Sequence, residues 1–336
     1  MKKALIAIAG LLLVALLLRP GSSGLPAQGD HLAMGTLVTV KLYQDPESAR
    51  PLLRAAFAEF DRIDTLMSRQ IDSSEVNRLE RTAAIRSVRP VPELLEILER
   101  SQRLAASTDG AFDVTIGALS RLWGFPGVRV PPDAARVDSA RALVGYGQLT
   151  VQDGMVRLAR AGVRLDLGGA AAGYAVDVVV HRLQEMGAEA GLVDGGGEIR
   201  YWGRKPDGQA WRFGIRHPRD PQRSIEVDDV GLEALATSGD YEQCFIFGGK
   251  RYHHILDPAT GYPADRSVSA TVWARTTLDA DILSTAVFVM GPQRGIDWVE
   301  SHPDVEAVVF YEESGHLRYR ASRGVADRLH FSGASE

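Results

Sequence analysis

The length of 336 residues is enough for one large domain or two modest ones. A hydrophobic fraction of 45% and a charged fraction of 24% are those of an ordinary globular protein. The net charge of −5 argues against a nucleic-acid binder that works through a broad basic surface. The single cysteine, Cys244, excludes an intrachain disulfide.

The N-terminal segment has the pattern of an export signal. Lys2 and Lys3 precede the fifteen largely apolar residues 4–18, and a stretch that contains glycine, proline and serine follows at 19–24. This run is short for a membrane span, so residues 1–24 are either a signal peptide or an uncleaved membrane anchor. We expect residues 25–336 to form the folded domain in the cell envelope, either anchored to the inner membrane and facing the periplasm or exported to the periplasm.

Strand and helix patterns mix along the rest of the chain. Residues 31–43 read as a strand with Met34-Gly35-Thr36 at its start. Apolar positions spaced three and four apart predict amphipathic core helices over 51–68 and 93–106. Short strands and glycine turns follow without a regular βαβ period. We therefore expect an α+β fold, a single domain of mixed, largely antiparallel sheets with packed helices.

Two segments in the first half of the chain are candidate ligand contacts. Phe112 is suited to stacking on a ring and Asp113 to accepting from a polar ring edge, although a core phenylalanine is the commoner outcome. Residues 162–175 read as a strand, the pair Gly168-Gly169 and a helix. Small residues let a backbone approach a phosphate closely, but tight packing of strand on helix explains the same glycines.

Two further segments carry small and polar residues beside predicted strands. Residues 194–198, with three consecutive glycines, suggest a bulged strand or the close approach of a bound ring. No helix follows them, which excludes a Rossmann phosphate loop. Residues 237–241 precede a predicted strand, and their hydroxyls and carboxylate either reach a ligand or close a turn.

A histidine pair lies at the end of an apolar strand. His253 and His254 precede a turn that Asp257-Pro258 opens and in which Gly261 is suited to a left-handed conformation. Imidazole moves protons near neutral pH, and the end of a strand exposes a side chain. The two rings point to opposite strand faces, so one of them is expected to be structural.

The clearest predicted helix starts at Thr276. Thr276 and Asp279 form a capping-box-like pair, which gives Asp279 a structural role. Asp281 and Thr285, one turn apart, supply two hard oxygen ligands suited to Mg²⁺, and the helix start adds positive partial charge for an anion. A solvated acidic face is the alternative.

Together these segments resemble the ApbE family, the FAD:protein FMN transferases. The resemblance rests on six motifs that occur in the family's order and span nearly the whole chain after residue 24. They are Met34-Gly35-Thr36, Ala111-Phe112-Asp113, Asp166-Leu167-Gly168-Gly169, Thr237-Ser238-Gly239-Asp240-Tyr241, His254-Ile255-Leu256-Asp257-Pro258 with Thr260-Gly261, and Ala280-Asp281 through Thr285-Ala286.

The resemblance implies an Mg²⁺-dependent transferase that binds FAD in a deep cleft. It implies transfer of FMN, through a phosphoester bond, to a threonine or serine hydroxyl of an acceptor protein, with AMP released. The implied acceptor is a subunit of a membrane electron-transfer complex, and the implied catalytic imidazole is His254. Implied metal ligands are the Ala171 carbonyl and the side chains of Asp281 and Thr285. Implied flavin-nucleotide contacts are Met34, Ala111, Phe112, Asp113, Asp166, Gly168 and Gly169.

Three positions depart from the family pattern. Ala172 stands where the family commonly has lysine, Ala259 where it commonly has arginine, and Gln70 where an aromatic residue often contacts the flavin. The metal site is unaffected. Two alternatives therefore stand beside the transferase: an FAD pyrophosphatase that releases FMN and AMP, and a non-enzymatic flavin-binding protein of the envelope.

Overall fold

The computed structural model describes residues 25–220 and 222–331, in which a large antiparallel sheet packs against helices on one face and against a small sheet on the other. The predicted signal or anchor at 1–24 lies outside the described residues. None of the described helices combines the length and apolar character needed to cross a bilayer. The division at residue 24 stays a prediction.

The strands form one large sheet and three small ones. The described strands are β1 (Ala27–Ala33), β2 (Thr36–Leu42), β3 (Leu149–Gln152), β4 (Met155–Leu158), β5 (Gly191–Asp194), β6 (Glu198–Trp202), β7 (Arg212–Arg216), β8 (Ser224–Asp228), β9 (Ala234–Gly239), β10 (Cys244–Phe247), β11 (Lys250–His253), β12 (Ser269–Ala274), β13 (Val305–Glu313), β14 (His316–Ala321) and β15 (Leu329–Phe331). The large sheet has the order β1-β2-β5-β6-β9-β12-β13-β14, and each neighbouring pair is antiparallel. The small sheets are β10-β11, β15-β8-β7 and β3-β4.

Helices account for most of the remaining core. The described helices are α1 (Pro46–Met67), α2 (Glu75–Ala83), α3 (Pro92–Ser107), α4 (Gly117–Trp123), α5 (Ala134–Arg141), α6 (Ala171–Glu185), α7 (Thr277–Met290), α8 (Pro292–Glu300) and α9 (Arg323–Ala326). The predicted helices 51–68 and 93–106 correspond to α1 and α3, although α1 begins earlier because Asp45 caps it by accepting from two backbone N–H groups. The predicted α+β class is confirmed.

Both faces of the central sheet are covered. On β12, Val272 belongs to the core beneath α1, α6 and α7, whereas the adjacent Trp273 faces a second core shared with β7 and β8. Adjacent residues of a strand point to opposite faces, so a strand with packed layers on both sides is buried along its whole length. All six residues of β12 are accordingly buried. Residues 204–223 are mostly polar, but they contain β7, which belongs to the small sheet that covers this second face.

Two predicted strands were wrong. Residues 31–43 are a hairpin, because Met34 and Gly35 form a two-residue turn with φ of 53° and 77° between β1 and β2. Such turns favour asparagine and glycine, so methionine gave no sign of it. The strand predicted before Gly168 is only an isolated parallel bridge between Ile116 and Arg164.

Candidate active site

A cavity of about 490 Å³ opens where the β1–β2 turn, the end of β9, the start of α6 and the base of the β10–β11 hairpin meet. It brings together nearly all of the residues singled out in the sequence: Met34, Ala111, Phe112, Asp113, Asp166, Gly168, Gly169, His254, Asp281 and Thr285. Ala171 is buried at the first position of α6 and is not part of the lining. The individual roles of these residues stay predictions.

Asp281 is a buried carboxylate at the contact between α6 and α7. Its Oδ2 accepts the backbone N–H of Gly173 at 3.0 Å, and the residue is 4% exposed. Burial, with a further contribution from the charge of Asp177, raises the pKa of Asp281 to about 7. A carboxylate removed from water and unpaired with a cationic side chain is costly, and a bound cation relieves that cost.

The residues around Asp281 fit a magnesium ion. Thr285 lies one helical turn further along, and its Oγ1 is 3.3 Å from Ser238 Oγ, so two hydroxyl groups line the same cavity as the carboxylate. Within the described residues no group of three or more histidine, cysteine or acidic side chains is arranged to hold a metal. A site with few protein ligands is typical of Mg²⁺, which completes its shell with water and substrate phosphates.

The start of α7 differs from the sequence prediction. Thr276 caps it by accepting from the backbone N–H of Asp279 at 3.2 Å, but the Asp279 carboxylate pairs with Arg100 instead of closing a capping box. The backbone N–H groups of Thr277 and Leu278 both donate to Asp177, each at 2.9 Å. The predicted anion site at this helix start was wrong, because a protein carboxylate already occupies it.

The Gly168-Gly169 turn is packed tightly against other site residues. A Cβ at Gly169 would lie 3.0 Å from Thr285 Oγ1 and 3.2 Å from the Phe112 ring, so only glycine fits without displacement. The turn leads into α6, whose start has no side-chain cap and lines the cavity through Ala172. The N–H groups of Ala171 and Tyr174 donate to backbone carbonyls and that of Gly173 donates to Asp281, so among the described contacts the N–H of Ala172 is the one left for a ligand at this helix start.

Asp113 is held rigidly in the cavity wall. Its Oδ1 accepts from both the backbone N–H and the Oγ1 of Thr115, each at 2.8 Å. Burial raises the pKa of Asp113 even though these two hydrogen bonds favour the charged form. The neighbouring Phe112 is 5% exposed, and it lines the cavity while contributing to the main core. The core position of Phe112 is confirmed, and its stacking on a ring stays a prediction.

The histidine pair divides as the strand geometry predicts. His253 is buried, and its Nε2 lies 2.8 Å from the Ala264 carbonyl oxygen. Burial lowers the pKa of His253 to about 4, so the ring is neutral at pH 7. His254 lines the cavity and keeps an exposed surface, yet the protein around it displaces enough water to lower its pKa below the ordinary value. A neutral imidazole is able to accept a proton.

The turn after His254 is fixed from two sides. The Asp257 side chain accepts from the backbone N–H of Ala259 at 2.8 Å, and Gly261 adopts the predicted left-handed conformation with φ of 80°. From the neighbouring α4, Trp123 Nε1 donates to the Gly261 carbonyl at 2.9 Å. Trp123 stacks on Tyr252, and both belong to a small core that supports the hairpin.

Three charged residues of the lining, Arg69, Glu198 and Glu242, were not assigned from the sequence. Glu198 follows the triple glycine, and burial together with the charges of Asp281 and Asp194 raises its pKa well above the ordinary value. The sequence did point to this residue, because Glu198 is the first residue of β6, directly after the three glycines. Arg69 is the cationic residue of the described lining, and its Nη1 donates to Asp166 Oδ2 at 2.8 Å. That contact joins residues 97 positions apart, so the local pattern carried no sign of it.

The decisive observation is the match to a family model. The model described as the ApbE family covers residues 34–309. The chain belongs to the ApbE family. The family predicted from the six sequence motifs is thereby confirmed, and the match spans the β1–β2 turn, the glycine turn, the histidine strand and α7.

Characterised relatives support the ApbE assignment along most of the chain. A protein of Vibrio cholerae named FAD:protein FMN transferase is 35% identical over 335 residues, which cover 96% of this chain and 98% of the relative. A Treponema pallidum protein of the same name is 33% identical and covers 89% of this chain and 87% of its own. These names confirm the predicted transferase class of the family.

Solved ApbE structures share the fold. The flavin transferase ApbE of Vibrio cholerae superposes with a TM-score of 0.81 at 32% identity and covers 90% of this chain and 100% of that chain. The apo form of the Pseudomonas stutzeri flavinyl transferase ApbE gives a TM-score of 0.78 at 33% identity over 89% and 95% of the two chains. The ApbE fold therefore extends through the described residues.

Proposed function

We propose that this chain is an Mg²⁺-dependent FAD:protein FMN transferase. It joins FMN through a phosphoester bond to a threonine or serine hydroxyl of an acceptor protein and releases AMP. The observation that carries the proposal is the single cavity in which His254, the Asp281–Thr285 pair and the glycine turn meet. The names of the ApbE relatives support the same reaction.

The reaction balances without a further co-reactant. The acceptor oxygen attacks the phosphorus of the FMN half of FAD, and the bond from that phosphorus to the oxygen of AMP breaks. The hydroxyl proton leaves with a base, and AMP carries away the bridging oxygen. Such phosphoryl-type transfers depend on positioning and charge neutralisation more than on covalent help from the protein.

The oxygen atoms of Asp281 and Thr285, with the backbone carbonyl of Ala171, are the groups that would hold Mg²⁺. When bound, Mg²⁺ supplies positive charge to the phosphate oxygens at which negative charge grows. Gly173 fixes the Asp281 carboxylate by its 3.0 Å hydrogen bond. Ala172, at the start of α6, lines the same cavity and offers its backbone N–H to the ligand.

His254 is proposed to take the proton of the acceptor hydroxyl. Its lowered pKa keeps the ring neutral near pH 7, which is the form that accepts a proton. Its backbone N–H donates to the Gln243 carbonyl at 3.1 Å, so the hairpin continues to the cavity edge and fixes the residue there. His253 supports the strand from the core and has no part in the chemistry.

We place the reaction in the cell envelope, with a subunit of a membrane electron-transfer complex as the acceptor. The lysine-flanked apolar segment 4–18 supports export or anchoring. We propose no nucleic acid as a partner, because the net charge is −5 and the cavity is lined mainly by acidic side chains.

One assay tests the proposed function. The purified full-length protein is incubated with FAD, Mg²⁺ and an FMN-carrying subunit of such a complex produced without its flavin. AMP together with flavin that stays on the denatured acceptor supports the transferase. AMP with free FMN would identify a pyrophosphatase. The absence of both products would identify a flavin-binding protein. Either outcome contradicts the proposal.

A further inference from the structure

The charge of the cavity lining is strongly one-sided. Five carboxylates line it, from Asp113, Asp166, Glu198, Glu242 and Asp281, whereas Arg69 supplies the only arginine or lysine side chain among the described lining residues. A dinucleotide joined through a diphosphate carries two further negative charges. Like charges in a cavity of low dielectric repel strongly, so a positively charged side chain in the lining favours the place where a diphosphate binds.

Arg69 is held in place from its backbone and from its side chain. Asn77 Nδ2 donates to the carbonyl oxygens of Arg69 and Ile71, each at 2.9 Å, which ties this loop to α2. The guanidinium Nη1 donates to Asp166 Oδ2 at 2.8 Å. The other oxygen of Asp166 accepts the backbone N–H of Gly168 at 2.9 Å. The guanidinium is therefore fixed beside the glycine turn that begins α6.

The guanidinium retains capacity to bind a ligand. Arg69 is 33% exposed at its side chain, and among the described residues only Asp166 accepts from it. Arginine has five N–H donors in a planar fork that matches two phosphate oxygens. Ala172, which also lines the cavity, contributes a methyl group and no charge.

We propose that Arg69 binds the diphosphate of the dinucleotide and so determines selectivity for FAD over flavins that lack a diphosphate. The inference deepens the proposed function and rests on it for the identity of the ligand. Arg69 supplies the positive charge that the protein's own side chains contribute to the cavity, beside the glycine turn that leads into α6. The alternative is a structural role, in which Arg69 only neutralises the charge of Asp166 and does not contact the ligand.

Fluorescence titrations of full-length protein in EDTA, where turnover stops, measure the dissociation constants for FAD and riboflavin. We expect Arg69→Gln to weaken FAD binding at least about tenfold, because a charged hydrogen bond to phosphate is lost, and to leave riboflavin binding unchanged. Arg69→Lys is intermediate, because it keeps the charge and loses the fork. The matched control Arg78→Gln, an exposed arginine of α2 paired with Glu75, binds both ligands as the wild type does.

A double variant separates direct binding from charge compensation. If Arg69 only offsets Asp166, Arg69→Gln combined with Asp166→Asn restores the FAD affinity of Asp166→Asn alone. If Arg69 binds phosphate, the double variant stays about tenfold weaker than Asp166→Asn, and its affinity falls less steeply with salt. Thermal unfolding of each variant confirms that the fold is intact.

Three results overturn the inference: FAD binding by Arg69→Gln equal to the wild type, an equal loss for riboflavin, or restoration in the double variant. If the protein binds FAD through Arg69 but releases no AMP in the presence of Mg²⁺, the inference about Arg69 stands and the transferase proposal is refuted. Wild-type protein without affinity for FAD refutes both.

Discussion

Gly173 on α6 donates its backbone N–H to Asp281 Oδ2 on α7 at 3.0 Å, at a point where the two helices leave no room for a side chain. A Cβ at Gly173 would lie 2.4 Å from the Thr277 carbonyl oxygen and 2.8 Å from Asp281 Cβ. One glycine thus sets both the separation of the helices and the position of the candidate metal ligand.

We predict that Gly173→Ala lowers the free energy of unfolding by about 1–3 kcal/mol, the usual cost of an added methyl group in a closely packed contact. Urea unfolding followed by circular dichroism measures the change. Gly147→Ala is the matched control, because its Cβ would meet nothing within 4 Å and its φ is not left-handed. Equal stability of Gly173→Ala and wild type would show that α6 and α7 separate freely.

His254 is predicted to act in catalysis and not in the binding of FAD. We expect His254→Gln to reduce flavin transfer at least about a hundredfold, the range for loss of a general base, while FAD affinity is kept. Flavin fluorescence retained on the denatured acceptor measures the transfer. Transfer at the wild-type rate in His254→Gln would remove the imidazole from the mechanism.

The stability of the fold should depend on pH through His253. Its folded pKa of about 4 lies below the ordinary value of 6.5, so between these values the unfolded chain binds a proton that the folded chain excludes. The resulting stability is complete above about pH 6.5 and is lost as the pH falls toward 4, a change of about 3 kcal/mol.

Unfolding free energies at pH 7 and pH 5 check this dependence. We expect His253→Phe to lose less stability than the wild type over that interval, because the titrating ring is gone. His181→Gln, on an exposed position of α6, should lose as much as the wild type. If His253→Phe loses as much unfolding free energy as the wild type between pH 7 and pH 5, the pH dependence comes from other groups.

Periodicity and motif spacing predicted much of this molecule, and the failures share a physical cause. The apolar spacing of α1, α3 and α7 is local, so those helices and the one-turn spacing of Asp281 and Thr285 were correct. Asp177 caps α7 across 100 residues, and only the folded chain reveals such a partner. The β1–β2 turn was missed because Met34 adopts a conformation that glycine or asparagine normally signals.

Release of AMP from FAD by Asp281→Asn, measured over a series of Mg²⁺ concentrations, tests the central claim most directly. Asparagine keeps an oxygen for the Gly173 N–H and removes the charge that a cation requires. Asp304→Asn, at an exposed carboxylate paired with Arg275, is the matched control. We predict that Asp281→Asn releases no AMP while Asp304→Asn matches the wild type. Mg²⁺-dependent AMP release that persists in Asp281→Asn would contradict the account.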